Sequence, residues 1–318
     1  MHDSTGSAHP DNVDLDDAAR TWLTHGFVVL PAFIPAGELA PAQSELGLLF
    51  PSAEGFHDGT DPRRERFLGD EFNGIDAFPF ASVELGLLAV HERLSGLAEH
   101  LLGERDVRIY SAEAWAKYTG AADYDQVMHR DYLNHTILVP SDAPGFRQVE
   151  MFVYLVDVPD ELGPPHLVSR TRTGHLPARP NWYPRDGGIR ESGFVATEGS
   201  PELYEAEVSA AGPAGTVVAF QLGTFHRGTG LTAPRGARYS MHLNYRPAAA
   251  EWVQRQAWAD LSHQPAWYRF VERASWRQLE LFGFPPPGHA FWTPETRAAM
   301  ELRYPGLREK MERHGLRS

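Results

Sequence analysis

Two rhythms of apolar and polar residues run along this chain, and the change from one to the other divides it. After a polar start, Asp14-Leu15-Asp16-Asp17 opens a helix over residues 14–25, with its acids near the positive helix end. Gly26 stops it, and Phe27-Val28-Val29-Leu30 predicts a short buried strand ended by Pro31. A second helix is predicted over residues 36–50, following Pro35. Residues 51–80 lose the period. They are rich in Gly, Pro, Asp and Arg, yet hold Phe56, Phe67, Phe72, Phe78 and Phe80, which predicts a functional lid or a mobile segment. Helical spacing returns over residues 83–102 through Leu85, Leu88, Leu94, Leu97, Leu101 and Leu102.

From residue 107 the runs become short and β-rich: 107–118, 127–139, 148–158, 166–168, 194–197, 205–208, 216–221 and 238–245, with Pro/Gly turns between them. Strands at this spacing predict two packed sheets, a sandwich or a jelly roll. Residues 251–282 and 295–314 turn helical again and carry Trp252, Trp258, Trp267 and Trp276 at intervals that suit a packed face or an oligomer contact. No internal repeat and no linker break the chain. The simplest organisation is a disordered tail over residues 1–13 followed by one domain, 14–318. That domain is mainly β, with helices before it and a helical C-terminal extension from about residue 251.

Composition narrows the chemistry. The 318 residues include no Cys, so disulfides, iron–sulfur clusters and Cys nucleophiles are excluded. A transition-metal site must use His nitrogen and carboxylate oxygen. A net charge of -13 argues against nucleic acid as a partner. The start lacks the cationic flank and apolar run of a signal peptide, and no stretch reaches the ~20 apolar residues of a membrane span. A cytoplasmic protein with a small-molecule substrate is expected. Only two of the 29 basic residues are Lys, so Lys117 inside a strand pattern draws notice.

The densest chemistry lies in Asp125-Gln126-Val127-Met128-His129-Arg130-Asp131-Tyr132. On a strand, positions i and i+2 share a face, so His129 and Asp131 can converge. A second His would complete a 2-His-1-carboxylate set, which holds Fe(II) on one side and leaves positions open. His-x-Asp alone is common by chance. The partner follows the buried strand 216–221, in Phe225-His226-Arg227-Gly228. Twelve residues later, Arg238-Tyr239-Ser240 puts a guanidinium and a hydroxyl on one strand face. Such a fork matches a carboxylate, although a salt bridge to a protein acid would also satisfy it.

Taken together, His-x-Asp, the distal His and Arg-x-Ser resemble the Fe(II)/2-oxoglutarate oxygenases. Gly26-Phe27-Val28-Val29-Leu30-Pro31, the Lys117 strand and Tyr154-Leu155-Val156-Asp157-Val158 with Gly163-Pro164 are similar to the phytanoyl-CoA dioxygenase branch. The likeness runs from about residue 18 to 247. One segment departs from it: relatives usually follow the Gly-Pro turn with Pro-Gly-Ser-His, where this chain has Val168-Ser169-Arg170-Thr171-Arg172-Thr173-Gly174-His175. The resemblance implies a double-stranded β-helix, the cupin-like jelly roll, with His129, Asp131 and His226 binding Fe(II). It implies that Arg238, helped by Ser240, clamps 2-oxoglutarate, and that O2 is consumed with release of succinate and CO2. It also implies oxidation of a substrate C–H, with hydroxylation the expected outcome. A carboxylate at position 131 disfavours halogenation, since related halogenases carry a small residue there. The rival readings are a jelly-roll metal-binding module without turnover and a cupin-type isomerase; neither needs the Arg238-Tyr239-Ser240 clamp.

Lys117 resembles a lysine that lies near the cosubstrate in relatives. Tyr132, Asn134 and Thr136 follow the motif at alternating positions and so share a face with one another, which makes Thr136 a cosubstrate candidate and Tyr132 and Asn134 substrate candidates. His242 shares the face of Arg238. His135 has the opposite parity to Tyr132, Asn134 and Thr136 and is expected to be no ligand; Gln126 fits a supporting place beside the ligands or, as the simpler reading, the surface. His175 could complete a rival triad but lacks the strand-end placement of His226. Arg63, Arg64 and Arg66 fit either a solvated run or a site for an anionic substrate group. The loop 51–80 and the segment 168–192 are the expected determinants of substrate choice, and a homodimer through the tail is open.

Overall fold

Asp14 accepts hydrogen bonds from the backbone N–H groups of Asp16 and Asp17, and so opens the helix Leu15–His25. Gly26 ends that helix in the left-handed region, φ 83°, where a side chain would strain the backbone and run into Arg170. The chain passes directly into strand β1, Phe27–Leu30. These details come from a computed structural model, which describes residues 13–121, 124–131, 135–138, 143–176, 182–185, 188–191, 199–253, 256 and 258–315.

Ten more strands follow: β2 (Ile75–Ala77), β3 (Val107–Tyr118), β4 (Val149–Tyr154), β5 (His166–Val168), β6 (Trp182–Arg185), β7 (Gly188–Glu191), β8 (Glu207–Ser209), β9 (Val217–Gln221), β10 (His226–Arg227) and β11 (Ala237–Pro247). An antiparallel main sheet has the order β1-β9-β4-β11-β3-β2, and a second sheet the order β10-β5-β8. A single antiparallel bridge, His129 to His226, extends the second sheet beyond β10. β6 and β7 pair only with each other. The jelly-roll expectation therefore agrees with the antiparallel sheets and their flanking helices.

Period-2 alternation decides what each face does. Outward residues such as Ala114, Met151, Ala219, Met241 and Leu243 join one core with Trp22, Leu85, Leu94 and Leu97 of the N-terminal helices and with Trp267 and Phe270 of the C-terminal ones. The tail tryptophans Trp267 and Trp276 are thus core residues. Inward, Tyr154, Val218 and Phe220 pack on Leu167 of the second sheet at one end of the interior. The other end is polar. Register sets Arg238 opposite Lys117, Ser240 opposite Trp115, His242 opposite Glu113 and Asn244 opposite Ser111.

Several expectations change. The helix over 36–50 stops at Ser44 and continues as a 3-10 turn, and the helix over 83–102 breaks where His91 caps Glu92–Leu102. The C-terminal helices are shorter than predicted because Pro265, Ser275 and Pro294 each start a new one. Among the described residues, 127–139 form no continuous strand: an isolated bridge pairs His129 with His226, and His135 sits in a turn. The strand predicted at 194–197 lies outside the described residues.

Residues 51–80 are a packed segment, neither a bare lid nor a mobile loop. They form a helix (Ala53–His57), two 3-10 turns and β2, and they bury Phe56, Phe67, Phe78 and Phe80. Phe78 binds this segment to the C-terminal extension, its ring 4.9 Å from that of Phe270, 5.0 Å from Phe282 and 5.3 Å from Trp258. Phe78→Ala is expected to lower unfolding free energy by about 3–5 kcal/mol, because the packed neighbours cannot collapse into the cavity. A urea titration followed by circular dichroism measures that loss.

Candidate metal centre

The two sheets bring His129 and His226 face to face. Each donates its backbone N–H to the other's carbonyl at 2.9 Å, so their side chains leave the bridge together. Gln126 holds the approach: its backbone N–H reaches the Gly228 carbonyl at 2.9 Å, and its Oε1 accepts from Gly228 N–H at 2.9 Å. Gln126 is therefore half-buried and pins the two ligand-bearing segments together, contrary to its expected surface place. Met128 N–H donates to the Tyr204 hydroxyl at 2.9 Å, and Arg130, on the opposite face, lies over the Phe225 ring. Alternation then turns Asp131 back to the side of His129.

Each imidazole is oriented by its own backbone. His129 Nδ1 lies 2.8 Å from the Val127 carbonyl and His226 Nδ1 lies 3.1 Å from that of Thr224. Donating there leaves both Nε2 atoms facing inward, the tautomer a metal ligand needs. Asp131 meets them both, Oδ1 at 3.5 Å from His129 Nε2 and Oδ2 at 3.2 Å from His226 Nε2. The three ligand atoms lie within 4.8 Å of one another. Burial acts against charge on both partners, but the proximity of His226 and His129 holds the Asp131 carboxyl well below its usual range. The Asp131 carboxylate likewise outweighs burial at His226 and raises that imidazole above its usual value. Two imidazoles and one carboxylate converging without a thiolate fit Fe(II), by the preoriented Nε2 atoms and by the N/O donor set.

The three residues open into a cavity of about 450 Å3 that Lys117, Arg238, Ser240 and His242 also line. Lys117 and Arg238 are buried neighbours across the β3–β11 ladder, so two cations stand together on one wall. Another wall is aromatic. The His242 ring lies 3.7 Å from that of Phe152 and 4.6 Å from Trp115, and Phe72 and Tyr124 are exposed at the cavity edge.

Other candidates fall elsewhere. Thr136 is not among the cavity-lining residues; its hydroxyl accepts from Leu138 N–H, and counting in twos from His129 reaches residue 135 and not 136. Tyr132 and Asn134 lie outside the described residues. His135, set aside above, lines the cavity; it stands six residues, an even number, from His129. His175 is exposed and joins no metal-type cluster among the described residues, and His166 pairs with Glu207. Arg63 and Arg66 are occupied by Asp61, Asp76 and backbone carbonyls, and neither they nor Arg64 line the cavity. The divergent stretch at 168–175 forms a short helix, Arg170–Thr173, whose Arg170 bonds Gln221; it contributes nothing to the cavity. Of residues 51–80 only Phe72 reaches it. Trp115 and Phe152 were within reach of sequence reasoning, since both alternate with residues already placed inward.

Comparison with protein families matches the phytanoyl-CoA dioxygenase (PhyH) model over residues 22–238. The chain belongs to the phytanoyl-CoA dioxygenase family. Comparison with curated proteins returns no match. Among solved structures, this phytanoyl-CoA dioxygenase family member is similar to the epimerase SnoN in complex with Fe3+, alpha ketoglutarate and nogalamycin RO: 22% identity, 79% of this chain and 90% of that one, TM-score 0.54. It is similar to EctD from S. alaskensis with 2-oxoglutarate and 5-hydroxyectoine: 20% identity, 78% and 80% coverage, TM-score 0.53. The carbocyclase SnoK from nogalamycin biosynthesis matches at 19% identity, 77% and 90% coverage, TM-score 0.52. At these identities the likeness is one of fold, that of iron- and 2-oxoglutarate-dependent enzymes.

Beside the centre, Arg227 holds the second sheet together through two bonds of 2.8 Å to Glu207, which also meets His166 at 3.0 Å. Burial works against the Glu207 carboxylate, but Arg227 and His166 hold it below its usual range. A depressed carboxyl contributes stability above its unfolded value near 4.5, and loses it as pH falls through the folded value. Glu207→Gln is expected to cost about 2 kcal/mol at neutral pH. That difference from wild type should shrink steadily below pH ~4.5. Urea midpoints of both proteins across pH 3–7 (about that window) check the sign; a gap that widens in acid would refute it.

Proposed function

We propose that this chain is a non-haem Fe(II)/2-oxoglutarate-dependent dioxygenase that hydroxylates a C–H of a small organic substrate. The observation that carries the reading is one cavity holding the His129–Asp131–His226 cluster together with Arg238, Ser240 and Lys117. His129, Asp131 and His226 would hold the iron, which when bound supplies oxidative decarboxylation of the 2-oxo acid and oxidation of the substrate by O2. Arg238 offers a planar fork to the far carboxylate of 2-oxoglutarate, and Ser240, one alternation along β11, adds a hydroxyl. Lys117 adds a second positive charge beside them. Phe152, Trp115 and His242 form an aromatic wall, and Phe72 and Tyr124 extend it outward. That wall suits an apolar face on the substrate, and it shields the reacting centre from water.

Asp131 supports hydroxylation over halogenation, since its carboxylate takes the position a halide would need. The SnoN and SnoK likenesses keep epimerisation and ring formation as the competing outcomes of the same centre. The test is direct. With Fe(II) and 2-oxoglutarate under anaerobic conditions the protein should develop a weak visible charge-transfer band, and admission of air should release succinate. Absence of both sinks the reading. Once a substrate is in hand, label from 18O2 in the product separates hydroxylation from the other two outcomes.

A further inference from the structure

We propose that His135 and Glu150 are positioning residues that hold the Asp131 carboxylate in its ligating orientation; this rests on Asp131 being a metal ligand. Asp131, His135 and Glu150 offer ligand-type atoms all within 4.8 Å of one another. Both outer members are almost sealed from solvent, His135 at 4% and Glu150 at 2% exposure. His135 Nδ1 lies 3.2 Å from Glu150 Oε1 and 3.0 Å from the Tyr110 hydroxyl. Gln148 Nε2 donates to the Tyr110 hydroxyl at 3.2 Å and to the His135 carbonyl at 3.1 Å, so ring and backbone are fixed from one side chain. Glu150 itself sits in the middle of the main sheet, paired with Phe220 on β9 and Asn244 on β11.

Stability alone gives a poor reason for this arrangement. A buried acid–imidazole pair costs desolvation, and apolar residues of similar volume often replace such pairs at no loss. What an apolar pair could not do is restrain a carboxylate. Asp131 meets two imidazoles with two different oxygens and lies two residues past the isolated His129–His226 bridge. Its side chain needs support that the local backbone does not supply. Glu150, on the main sheet, stands 3.2 Å from His135 Nδ1 as its ion-pair partner, and His135 in turn offers a ring nitrogen within 4.8 Å of the Asp131 carboxylate. Outer partners of this kind typically change metal affinity 10–100-fold. The same three residues could instead ligate a second cation that shares Asp131, and the experiment distinguishes the two.

The full chain and its variants Glu150→Gln, His135→Phe and His135→Gln would be titrated anaerobically with Co(II), following the visible ligand-field bands. Wild type should bind one Co(II). Glu150→Gln and His135→Phe should weaken it by about 10–100-fold and shift or weaken the bands, while far-ultraviolet dichroism stays native. His135→Gln, which keeps a polar group at that place, should recover part of both. Wild-type affinity and spectrum in a folded Glu150→Gln overturn the proposal, even if His135→Phe does not fold. Two Co(II) per chain overturn it in favour of a shared second cation. A chain that binds one Co(II) with these variant effects, yet releases no succinate with Fe(II), refutes the oxygenase reading and leaves the positioning role standing.

Discussion

His226→Ala should abolish succinate release and weaken Fe(II) binding by more than about 100-fold, beyond what loss of an outer partner causes. In the proposed centre three residues supply the donors, and His226 is the most enclosed of them, its side chain 5% exposed against 13% for His129 and 27% for Asp131. Its Nε2 is oriented by the Thr224 carbonyl and faced by Asp131 at 3.2 Å. Deleting the imidazole leaves a two-residue half-site and a carboxylate without its main counterpart. Anaerobic equilibrium dialysis gives the affinity and a succinate assay the turnover. A variant that keeps tight, stoichiometric Fe(II) would mean that the metal sits elsewhere.

Arg238→Ala should raise the 2-oxoglutarate requirement steeply while Fe(II) binding stays close to that of wild type. Truncating one partner of a buried, hydrogen-bonded charge pair costs about 2–5 kcal/mol, which corresponds to roughly 30- to several-thousand-fold in affinity. The metal ligands lie on other segments, so they should be spared. Arg238→Lys should recover only part of the loss, because an ammonium cannot present the two parallel N–H groups of the fork. The charge-transfer band titrated against 2-oxoglutarate reads the effect separately from turnover. Equal weakening of Fe(II) and 2-oxoglutarate binding would instead point to a general disturbance of the interior.

Much of the centre was legible before any fold was known. His129 and Asp131 are two apart, and a two-residue period survives any detail of the surrounding sheet. Arg238, Ser240 and His242 follow from the same period, because β11 is long and unbroken over Ala237–Pro247. The same two-residue count from His129 reaches His135, which lines the cavity, and misses Thr136, which does not. The buried rings of residues 51–80 were visible as a surplus of Phe, yet the extension that receives Phe78 arrives some two hundred residues later.

Local rules thus determined the start of the N-terminal helix, the faces of the long strand β11, the thiol-free donor set and the pairing of a guanidinium with a hydroxyl at Arg238 and Ser240. They are short-range consequences of backbone geometry and side-chain chemistry, and they need no partner. Tertiary structure alone decided the rest: that His226 faces His129 across one bridge, that Lys117 stands opposite Arg238, and that Glu150 reaches His135 behind Asp131. Those meetings depend on strand register and sheet packing. Register is settled by burying every apolar face at once, and no window of sequence contains that sum.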